Sequence, residues 1–422
     1  MVVATRGRRT RRRMISVLAT LSLMAGMLAV LAPSASASPG NPQWTDRLNA
    51  QSNGPDLAWA SAASSTRVFV TGRSEGSTSG ADYLTVAYKA ADGALLWTKR
   101  YDGPGNAFDQ AGSIAVNPNG TKVFVTGHSE GTTSGDDYAT IAYSASTGAT
   151  LWTKRYDGPG NGLDGATSIA VRSGMVFVTG ASTGTTSSED YATIAYSAST
   201  GTPLWTMRYD GPGNASDTPA SIAVSPNGTS VFVTGASDGT TSFGDYATIA
   251  YDSLTGSLLW TKRYNGPGNV NDGAWSIAVS PSGTSVFVTG GSAGTTSDLD
   301  YTTIAYDAST GSPLWTPTTR RYNNSQWNGP DVAGSIAVSP DGTKLFVTGA
   351  SQGPYLTDYL TVAYDASTGA LDWKKRYNAP GDGDDVARSI TVSPGGTSVF
   401  VTGGSFGSTA TSDDYFTIAY EL

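Results

Sequence analysis

Residues 245–264, DYATIAYDSLTGSLLWTKRY, recur along the chain in near-copies, and this recurrence constrains the fold more than any other feature. Each copy predicts a β-hairpin over residues 246–251 and 258–264, because two apolar runs flank a short connection whose Gly256 tolerates a positive φ. The tyrosine that opens each copy returns at spacings of 55, 53, 55, 55, 58 and 56 residues, as Tyr83, Tyr138, Tyr191, Tyr246, Tyr301, Tyr359 and Tyr415. A lone hairpin cannot bury its apolar residues, so each needs partners in its own repeat and in the next.

The rest of each repeat predicts two further strands. Residues 221–224 and 231–235 are short apolar runs on either side of a Ser-Pro-Asn-Gly-Thr turn. Both faces of the predicted strands carry bulky side chains, which suits sheets that stack face to face. Four short antiparallel strands in a repeat of this length predict one blade of a β-propeller.

The strand counts predict how the ring closes. The Val-Phe-Val-Thr-Gly strand occurs seven times, with Leu345 in place of the first valine in one copy. The last strand of the repeat, marked by tryptophan, occurs six times within complete repeats and once more at Trp44, in front of them. The chain ends just after the predicted strand 415–420, so residues 42–47 are expected to complete the seventh blade. The sequence therefore predicts an all-β, seven-bladed β-propeller over residues 38–422, with four antiparallel strands per blade and a ring closed by the N-terminal strand.

Residues 1–37 read as a signal peptide: an arginine-rich start, an apolar run over 14–32, and Ala35-Ser36-Ala37 as the cleavage site. An uncleaved membrane anchor is the alternative, because the apolar run is long enough to span a bilayer. Residues 10–15 resemble a loose twin-arginine signal, although arginine clusters also open ordinary signals. Every alternative implies export, so a secreted, extracellular protein is expected.

Composition excludes several function classes. The chain has no cysteine, which rules out disulfides, thiol nucleophiles and cysteine-ligated metals. Removal of six signal-peptide arginines leaves 20 Lys and Arg against 34 acids, so the formal net charge falls from −8 to −14. With that charge and no basic stripe, nucleic-acid binding is not expected. We expect a monomer that has no membrane association after cleavage.

Two stretches resemble known propeller repeats. Residues 250–260, AYDSLTGSLLW, look like the tryptophan docking motif of pyrroloquinoline-quinone (PQQ) type propellers, and residues 272–290 are similar to bacterial β-propeller repeats of the SBBP type. Together the resemblances cover nearly all of residues 42–422 and imply a quinoprotein-like scaffold. The larger quinone-dependent dehydrogenases use eight blades and commonly an adjacent cysteine pair under the cofactor. Seven repeats and no cysteine depart from that pattern and argue against PQQ binding.

The long loops, which join strand two to three and strand four to the next blade, share one end of the predicted propeller, where function is expected. Candidate ligand-binding residues there are positions at which one repeat departs from the others. Before the innermost strand the series is Trp59, Gly112, Thr167, Ala220, Trp275, Gly334 and Arg388; after the second strand it is Arg73, His128, Ala181, Ala236, Gly291, Ala350 and Gly404. Trp327 lies in the enlarged loop 322–331, and of all the aromatic residues it is the one that we most expect to be exposed.

Each candidate has a structural alternative. His128, the single histidine, is either a catalytic general base or a solvated loop residue. Trp59 and Trp275 either stack on a ligand or plug the channel. Arg73 and Arg388 either clamp an anion or form ordinary salt bridges.

Acidic residues suggest two further roles. An aspartate recurs before each inner strand, as Asp56, Asp109, Asp164, Asp217, Asp272, Asp331 and Asp385. Because it occurs in every blade, we interpret it as an acceptor of loop N–H groups and not as part of a ring of calcium sites. A single calcium ion is the possible cofactor, with Asp382, Asp384 and Asp385 as its candidate ligands.

No Ser-His-Asp order, phosphate loop or paired-carboxylate motif stands out from the repeats. The sequence therefore favours a binding or interaction module for an extracellular polysaccharide or a surface protein. The alternative is an enzyme on the same scaffold: a polysaccharide lyase or hydrolase that uses His128 and the arginines, or a quinoprotein-like sugar oxidoreductase.

Overall fold

The structure is a computed structural model that describes residues 44–48, 54–76, 78–379, 383–408 and 411–422. The regular structure in these ranges consists of 27 β-strands, and none of it is a helix long and apolar enough to cross a membrane. The predicted signal peptide, residues 1–37, lies outside the described residues.

The strands form seven antiparallel sheets, each made of strands consecutive in the chain. Blade one contains β1 Asp56–Ala63, β2 Arg67–Glu75, β3 Ala81–Lys89 and β4 Leu95–Tyr101; blade two contains β5 Asp109–Val116, β6 Lys122–Glu130, β7 Asp136–Ser144 and β8 Thr150–Tyr156. Blade three contains β9 Asp164–Arg172, β10 Met175–Thr183, β11 Glu189–Ser197 and β12 Pro203–Tyr209; blade four contains β13 Asp217–Val224, β14 Ser230–Ser237, β15 Asp245–Asp252 and β16 Leu258–Tyr264. Blade five contains β17 Asp272–Val279, β18 Ser285–Ala293, β19 Leu299–Asp307 and β20 Thr319–Tyr322; blade six contains β21 Asp331–Val338, β22 Lys344–Gln352, β23 Thr357–Asp365 and β24 Leu371–Tyr377. Blade seven contains β25 Asp385–Val392, β26 Ser398–Ser408 and β27 Thr411–Glu421.

The predicted strand types match these sheets. The hairpin of the recurring segment is β15 and β16, and Gly256 in its connection has a φ of 71°. A Cβ added to Gly256 would lie 2.8 Å from Cδ2 of Trp205 in the preceding blade. The glycine is therefore required twice, for its backbone conformation and for the close approach of an indole.

The docking tryptophans are mostly buried between blades, as predicted: five are buried and Trp373 is partly buried. Trp260 of β16 packs between Phe232 of its own blade and Tyr306 of the next, with ring centroids 5.8 and 6.0 Å apart. Its Nε1 donates a hydrogen bond of 3.0 Å to the carbonyl oxygen of Ala308. The same donation is made at four other seams, by Trp97, Trp152, Trp205 and Trp315. Each indole thus buries a large apolar area without leaving its N–H unpaired.

A second contact ties each blade to the next. The hydroxyl of Tyr246 is fully buried and donates a 3.0 Å hydrogen bond to the carbonyl oxygen of Thr302 in blade five. Burial raises the pKa of Tyr246 well above its ordinary value, so this hydroxyl stays a neutral donor. Equivalent donations come from the opening tyrosines of the other complete repeats, Tyr83, Tyr138, Tyr191, Tyr301 and Tyr359.

The seventh blade differs from this pattern. Phe400 of blade seven is 41% exposed, whereas its six counterparts, Phe69, Phe124, Phe177, Phe232, Phe287 and Phe346, are almost completely buried. Within the described residues, blade seven has three strands, whereas each other blade has four. Residues 44–48 form no strand, and the rest of the predicted closing segment lies outside the described residues. The all-β fold with seven blades is confirmed, and closure by the N-terminal strand stays a prediction.

Candidate functional site

The recurring aspartate fixes the preceding loop at six seams, as predicted. Asp217 accepts a 2.5 Å hydrogen bond through Oδ2 from the backbone N–H of Gly211, and the counterparts of Asp217 do the same for the loops that precede them. These counterparts are Asp109, Asp164, Asp272, Asp331 and Asp385. Burial is the main cause that raises the pKa of Asp217, and the nearby carboxylates of Asp210 and Asp190 add to it.

The first candidate series lies inside the inner strands, not before them as predicted. Trp59, Gly112, Thr167, Ala220, Trp275, Gly334 and Arg388 each occupy a β-bulge that interrupts the pairing of the first and second strands of a blade. Each bulge leaves one residue without a cross-strand partner, so its side chain is free to vary between blades. Thr167 shows where this position points, because its Oγ1 donates a 2.9 Å hydrogen bond to the carbonyl oxygen of Pro219 in the next inner strand.

The second series also lies within strands. Arg73 pairs with Leu57, and His128 pairs with Gln110, so both belong to the second strand of a blade and not to the loop that follows. The sequence prediction began the inner strands too late and ended the second strands too early, because both strands extend further toward the loops than their apolar runs.

The structure brings Arg73 and His128 to one aromatic ring. Phe108, in the loop before β5, has the guanidinium carbon of Arg73 5.3 Å from its ring centroid. The ring of His128 lies 5.5 Å from the same ring. His128 Nδ1 is 3.0 Å from Oδ2 of Asp136, and both of these side chains are about a quarter exposed. Sequence analysis did not identify Phe108 or Asp136, although Phe108 is the only aromatic residue directly before a recurring aspartate.

A pocket of about 290 Å³ surrounds Trp275 at the seam between blades four and five. Its wall combines the half-exposed indole of Trp275 with Leu299 and with polar groups of Thr218, Asp238 and Asn271. The positions that carry Arg73 and His128 in blades one and two are Ala236 and Gly291 here, and both line the pocket. The small residues leave the space that those larger side chains would fill.

The remaining candidates stand apart from these two groups. Trp59 is 55% exposed and Trp327 is 42% exposed, so the exposure expected of Trp327 is confirmed. Arg388 is exposed at the bulge of β25. Among the described residues, neither Trp59 nor Arg388 forms a hydrogen bond or ion pair with Arg73 or His128.

The predicted calcium ligands are engaged in loop contacts. Asp384 accepts hydrogen bonds of 3.1 and 2.8 Å from the backbone N–H and the hydroxyl of Thr357. Asp385 accepts a 2.7 Å hydrogen bond from the backbone N–H of Ala379. Asp382 lies outside the described residues. Within the part of the chain that the structure describes, these acids do not converge with a third ligand.

Comparison with known proteins agrees with the architecture. The family model described as outer membrane protein assembly factor BamB matches residues 33–190, 85–331, 142–388 and 300–411. The chain belongs to this family of PQQ-like β-propeller repeat proteins. No curated protein sequence matches the chain.

Solved propellers resemble this PQQ-like repeat protein at low identity. Hydrazine synthase from Kuenenia stuttgartiensis is 12% identical with a TM-score of 0.54, over 89% of this chain and 99% of that chain. The WD40 repeats of RRP9 are 10% identical with a TM-score of 0.55, over 87% and 96%. The periplasmic gluconolactonase PpgL of Pseudomonas aeruginosa is 16% identical with a TM-score of 0.50, over 85% and 96%. These similarities concern the fold.

Proposed function

We propose that this protein is a secreted binding module that takes a carbohydrate, as part of an extracellular polysaccharide, in the pocket at Trp275. The observation that supports the proposal is the half-exposed indole of Trp275 beside Asp238 and Asn271 in one pocket. A sugar ring offers an apolar C–H face and a rim of hydroxyls. An aromatic face with neighbouring carboxylate and amide groups matches both features.

The size and position of the pocket also favour a sugar. A volume of about 290 Å³ is at the small end of ligand pockets, so one or two sugar units fit and the rest of a chain would extend over the surface. The pocket lies at the end of the blades that carries the long loops, where a rigid scaffold usually presents its binding residues.

The test is a glycan-array screen of the purified protein, followed by titration of Trp275→Ala against any glycan that binds. We expect an affinity loss of about tenfold or more, because an aromatic anchor in a binding pocket commonly contributes over 1 kcal/mol. Leu254→Ala is the matched control, since Leu254 is 72% exposed but lies in the turn at the opposite end of blade four. Equal affinities of Trp275→Ala and the unmodified protein for the glycan would show that the pocket at Trp275 is not the binding site.

One observation favours an enzyme as the second candidate. The Nδ1 atom of His128 is held by the carboxylate of Asp136 at 3.0 Å, the arrangement that orients a histidine as a general base. Arg73 lies over the ring of Phe108 and supplies a positive charge for an anionic substrate. If this group is catalytic, His128→Ala should lower turnover of a bound glycan or sugar lactone by about 10²–10⁴-fold with little change in binding.

The residues present do not fit PQQ. This cofactor carries three carboxylates, whereas the seven bulge positions of the inner strands carry a single cationic side chain, Arg388. We therefore derive no step through a quinone. The proposed partner is an extracellular polysaccharide, with a surface protein as the alternative, and the acidic net charge disfavours nucleic acid.

A further inference from the structure

Three seams each contain a cluster of three aspartates, at the end of the blades that carries the long loops. In every cluster, one carboxylate oxygen of each aspartate lies within 4.8 Å of the others. The clusters are Asp82 with Asp102 and Asp109, Asp137 with Asp157 and Asp164, and Asp190 with Asp210 and Asp217. The first member starts the third strand of a blade, the second follows its fourth strand, and the third starts the inner strand of the next blade.

The first member of each cluster has a buried oxygen without a partner. Asp82, Asp137 and Asp190 are each at most 5% exposed. Their Oδ2 atoms each form an ion pair, with an N···O distance of 2.6 to 2.7 Å, with an arginine of the same blade. These arginines are Arg100, Arg155 and Arg208 respectively. Their Oδ1 atoms are buried and accept no hydrogen bond. The equivalent Oδ1 atoms of Asp245 and Asp300 at the next two seams are also buried and unpartnered, but only Asp82, Asp137 and Asp190 have two further carboxylates beside them in the described residues. A buried carboxylate oxygen without a partner is costly, so its presence inside a cluster of acids points to a missing ligand.

The charge of each cluster is unbalanced in the same direction. Three carboxylates face one guanidinium, which leaves two negative charges in a partly buried site. Burial raises the pKa of Asp109, and the charges of Asp82 and Asp102 raise it further. The pKa of Asp102 is raised by burial and by Asp82. A bound divalent cation would balance this charge and supply the missing partner.

We propose that each of these three clusters binds a divalent cation of the calcium type, with the unpartnered Oδ1 of Asp82, Asp137 or Asp190 as one ligand. The other two aspartates of each cluster supply further oxygens, and water or backbone carbonyls complete the coordination. An all-oxygen set without histidine or cysteine suits Ca²⁺ better than zinc, and Ca²⁺ tolerates irregular geometry that Mg²⁺ does not. The bound ion joins the third and fourth strands of one blade to the inner strand of the next.

Three other seams of the same chain have an asparagine in place of the second aspartate and serve as comparison sites. At the next three seams, the position of Asp102 is taken by Asn265, Asn323 and Asn378. The seam with Asn265 keeps the other two acids, Asp245 and Asp272, and Asp245 also has a buried Oδ1 that accepts no hydrogen bond. One negative charge is lost there, so we expect three calcium sites in the described part of the chain, not six.

The experiment is a calcium titration of the purified protein after treatment with a chelator, followed by calorimetry and by thermal unfolding. We expect up to three sites with dissociation constants of about 10⁻⁴–10⁻³ M, typical of extracellular calcium modules. We also expect 10 mM CaCl₂ to raise the melting temperature by about 3 °C or more, with a smaller rise in MgCl₂. The triple variant Asp102→Asn, Asp157→Asn, Asp210→Asn copies the natural asparagines and should lose both responses.

Two further variants make the outcome specific. Asp298→Asn removes an exposed acid outside the clusters and should leave the stoichiometry unchanged. Asn265→Asp should add one site. Calcium binding that survives in the triple variant would overturn the proposal in favour of diffuse attraction to an acidic surface. The absence of any calcium response in the unmodified protein would also overturn it, and would indicate that water or a shared proton satisfies the buried oxygens.

Discussion

At the scale of single residues, the repeat uses each invariant position for more than one purpose. The buried indole of Trp260 fills the seam and donates a hydrogen bond to Ala308 across it. Asp217 fixes its loop through Oδ2 and adds a buried charge to the acidic cluster. Substitutions at such positions are therefore expected to affect stability through several contacts at once.

Trp260→Ala is predicted to lower the free energy of unfolding by about 3–5 kcal/mol, as truncation of a large buried aromatic usually does. The indole is 7% exposed, and the substitution also leaves the carbonyl oxygen of Ala308 without its donor. Denaturant unfolding followed by tryptophan fluorescence measures the loss. Leu259→Ala is the control, because Leu259 is 46% exposed, and its cost should stay below about 1 kcal/mol. A similar cost for both variants would contradict the docking role.

Buried aspartates predict an acidic optimum of stability in the absence of divalent cations. Burial raises the pKa of Asp109, Asp164, Asp217, Asp272 and Asp331 in the folded state. A raised carboxyl pKa means that the folded state binds the proton more tightly. The stabilisation is therefore complete below the unfolded pKa of about 3.9 and is lost as the pH rises through the folded pKa.

Exposed turn aspartates act in the opposite direction. Hydrogen bonds from Ser367 and Thr368 lower the pKa of Asp365 to about 2, so its contribution is lost as the pH falls from about 4 toward 2. Together the two groups predict greatest stability a little above pH 4. Urea midpoints between pH 3 and pH 8 test this, and Asp217→Asn should flatten the slope on the neutral side. A midpoint that falls steadily from pH 7 to pH 5 would contradict the prediction.

At the scale of strands, the β-bulge of the inner strand decides where blades differ. Trp275 lies at such a bulge in β17 and turns its indole into the pocket with Asn271 and Leu299. The sequence predicted that this position varies between repeats, because alignment of the repeats exposes the outlier. It did not predict the bulge, because a single unpaired residue does not visibly disturb the alternation of apolar and polar residues along a strand.

The same limit explains why the sequence did not predict the contacts among Arg73, Phe108 and His128. Sequence comparison of the repeats identified Arg73 and His128 as outliers, but their meeting at Phe108 depends on the angle between blades one and two. The hairpins, the seven blades and the tryptophan docking were predictable because local period and turn chemistry encode them. The contact of Phe108 with Arg73 depends on tertiary packing across a seam, so Phe108 was missed. The contact of His128 with Asp136 depends on the register of β6 against β7 within blade two, so Asp136 was missed as well.

Gly273→Ala is predicted to weaken glycan binding several-fold with little change in melting temperature. A Cβ at Gly273 would lie 3.2 Å from Nε1 of Trp275, so the indole must shift, while the backbone tolerates alanine because its φ is not positive. Gly165→Ala is the matched control at the equivalent position of blade three, where the nearest atom would be 3.7 Å away. Titration of both variants with the same glycan measures the difference. Equal affinities would show that the indole orientation does not matter.

At the scale of the whole molecule, the two ends of the array differ from the blades between them. Phe400 is 41% exposed in blade seven, for which the described residues supply three strands. Asp46 accepts a hydrogen bond from the hydroxyl of Tyr88 in blade one, and burial together with this bond raises the pKa of Tyr88 to about 12. Residue 46 therefore lies beside blade one, two residues after the tryptophan predicted to complete blade seven.

Removal of residues 38–49 is predicted to lower the melting temperature and to promote aggregation, because it would leave the edge of β27 and the ring of Phe400 uncovered. Trp44→Ala should cost about as much as Trp260→Ala if Trp44 docks like the other tryptophans. Thermal unfolding and light scattering of both variants test closure. Unchanged solubility and melting temperature would show that the N-terminal segment does not complete the ring.

The indole that donates to a carbonyl oxygen recurs at five described seams, and the tyrosine hydroxyl that crosses to the next blade recurs at six. These shared contacts do not distinguish the proper neighbour of a blade from another blade. Correct order during folding must come from the loops of about seven residues between blades, which are too short to let one blade bypass another. Between two chains that restraint is absent, so concentrated refolding should produce dimers that exchange blades.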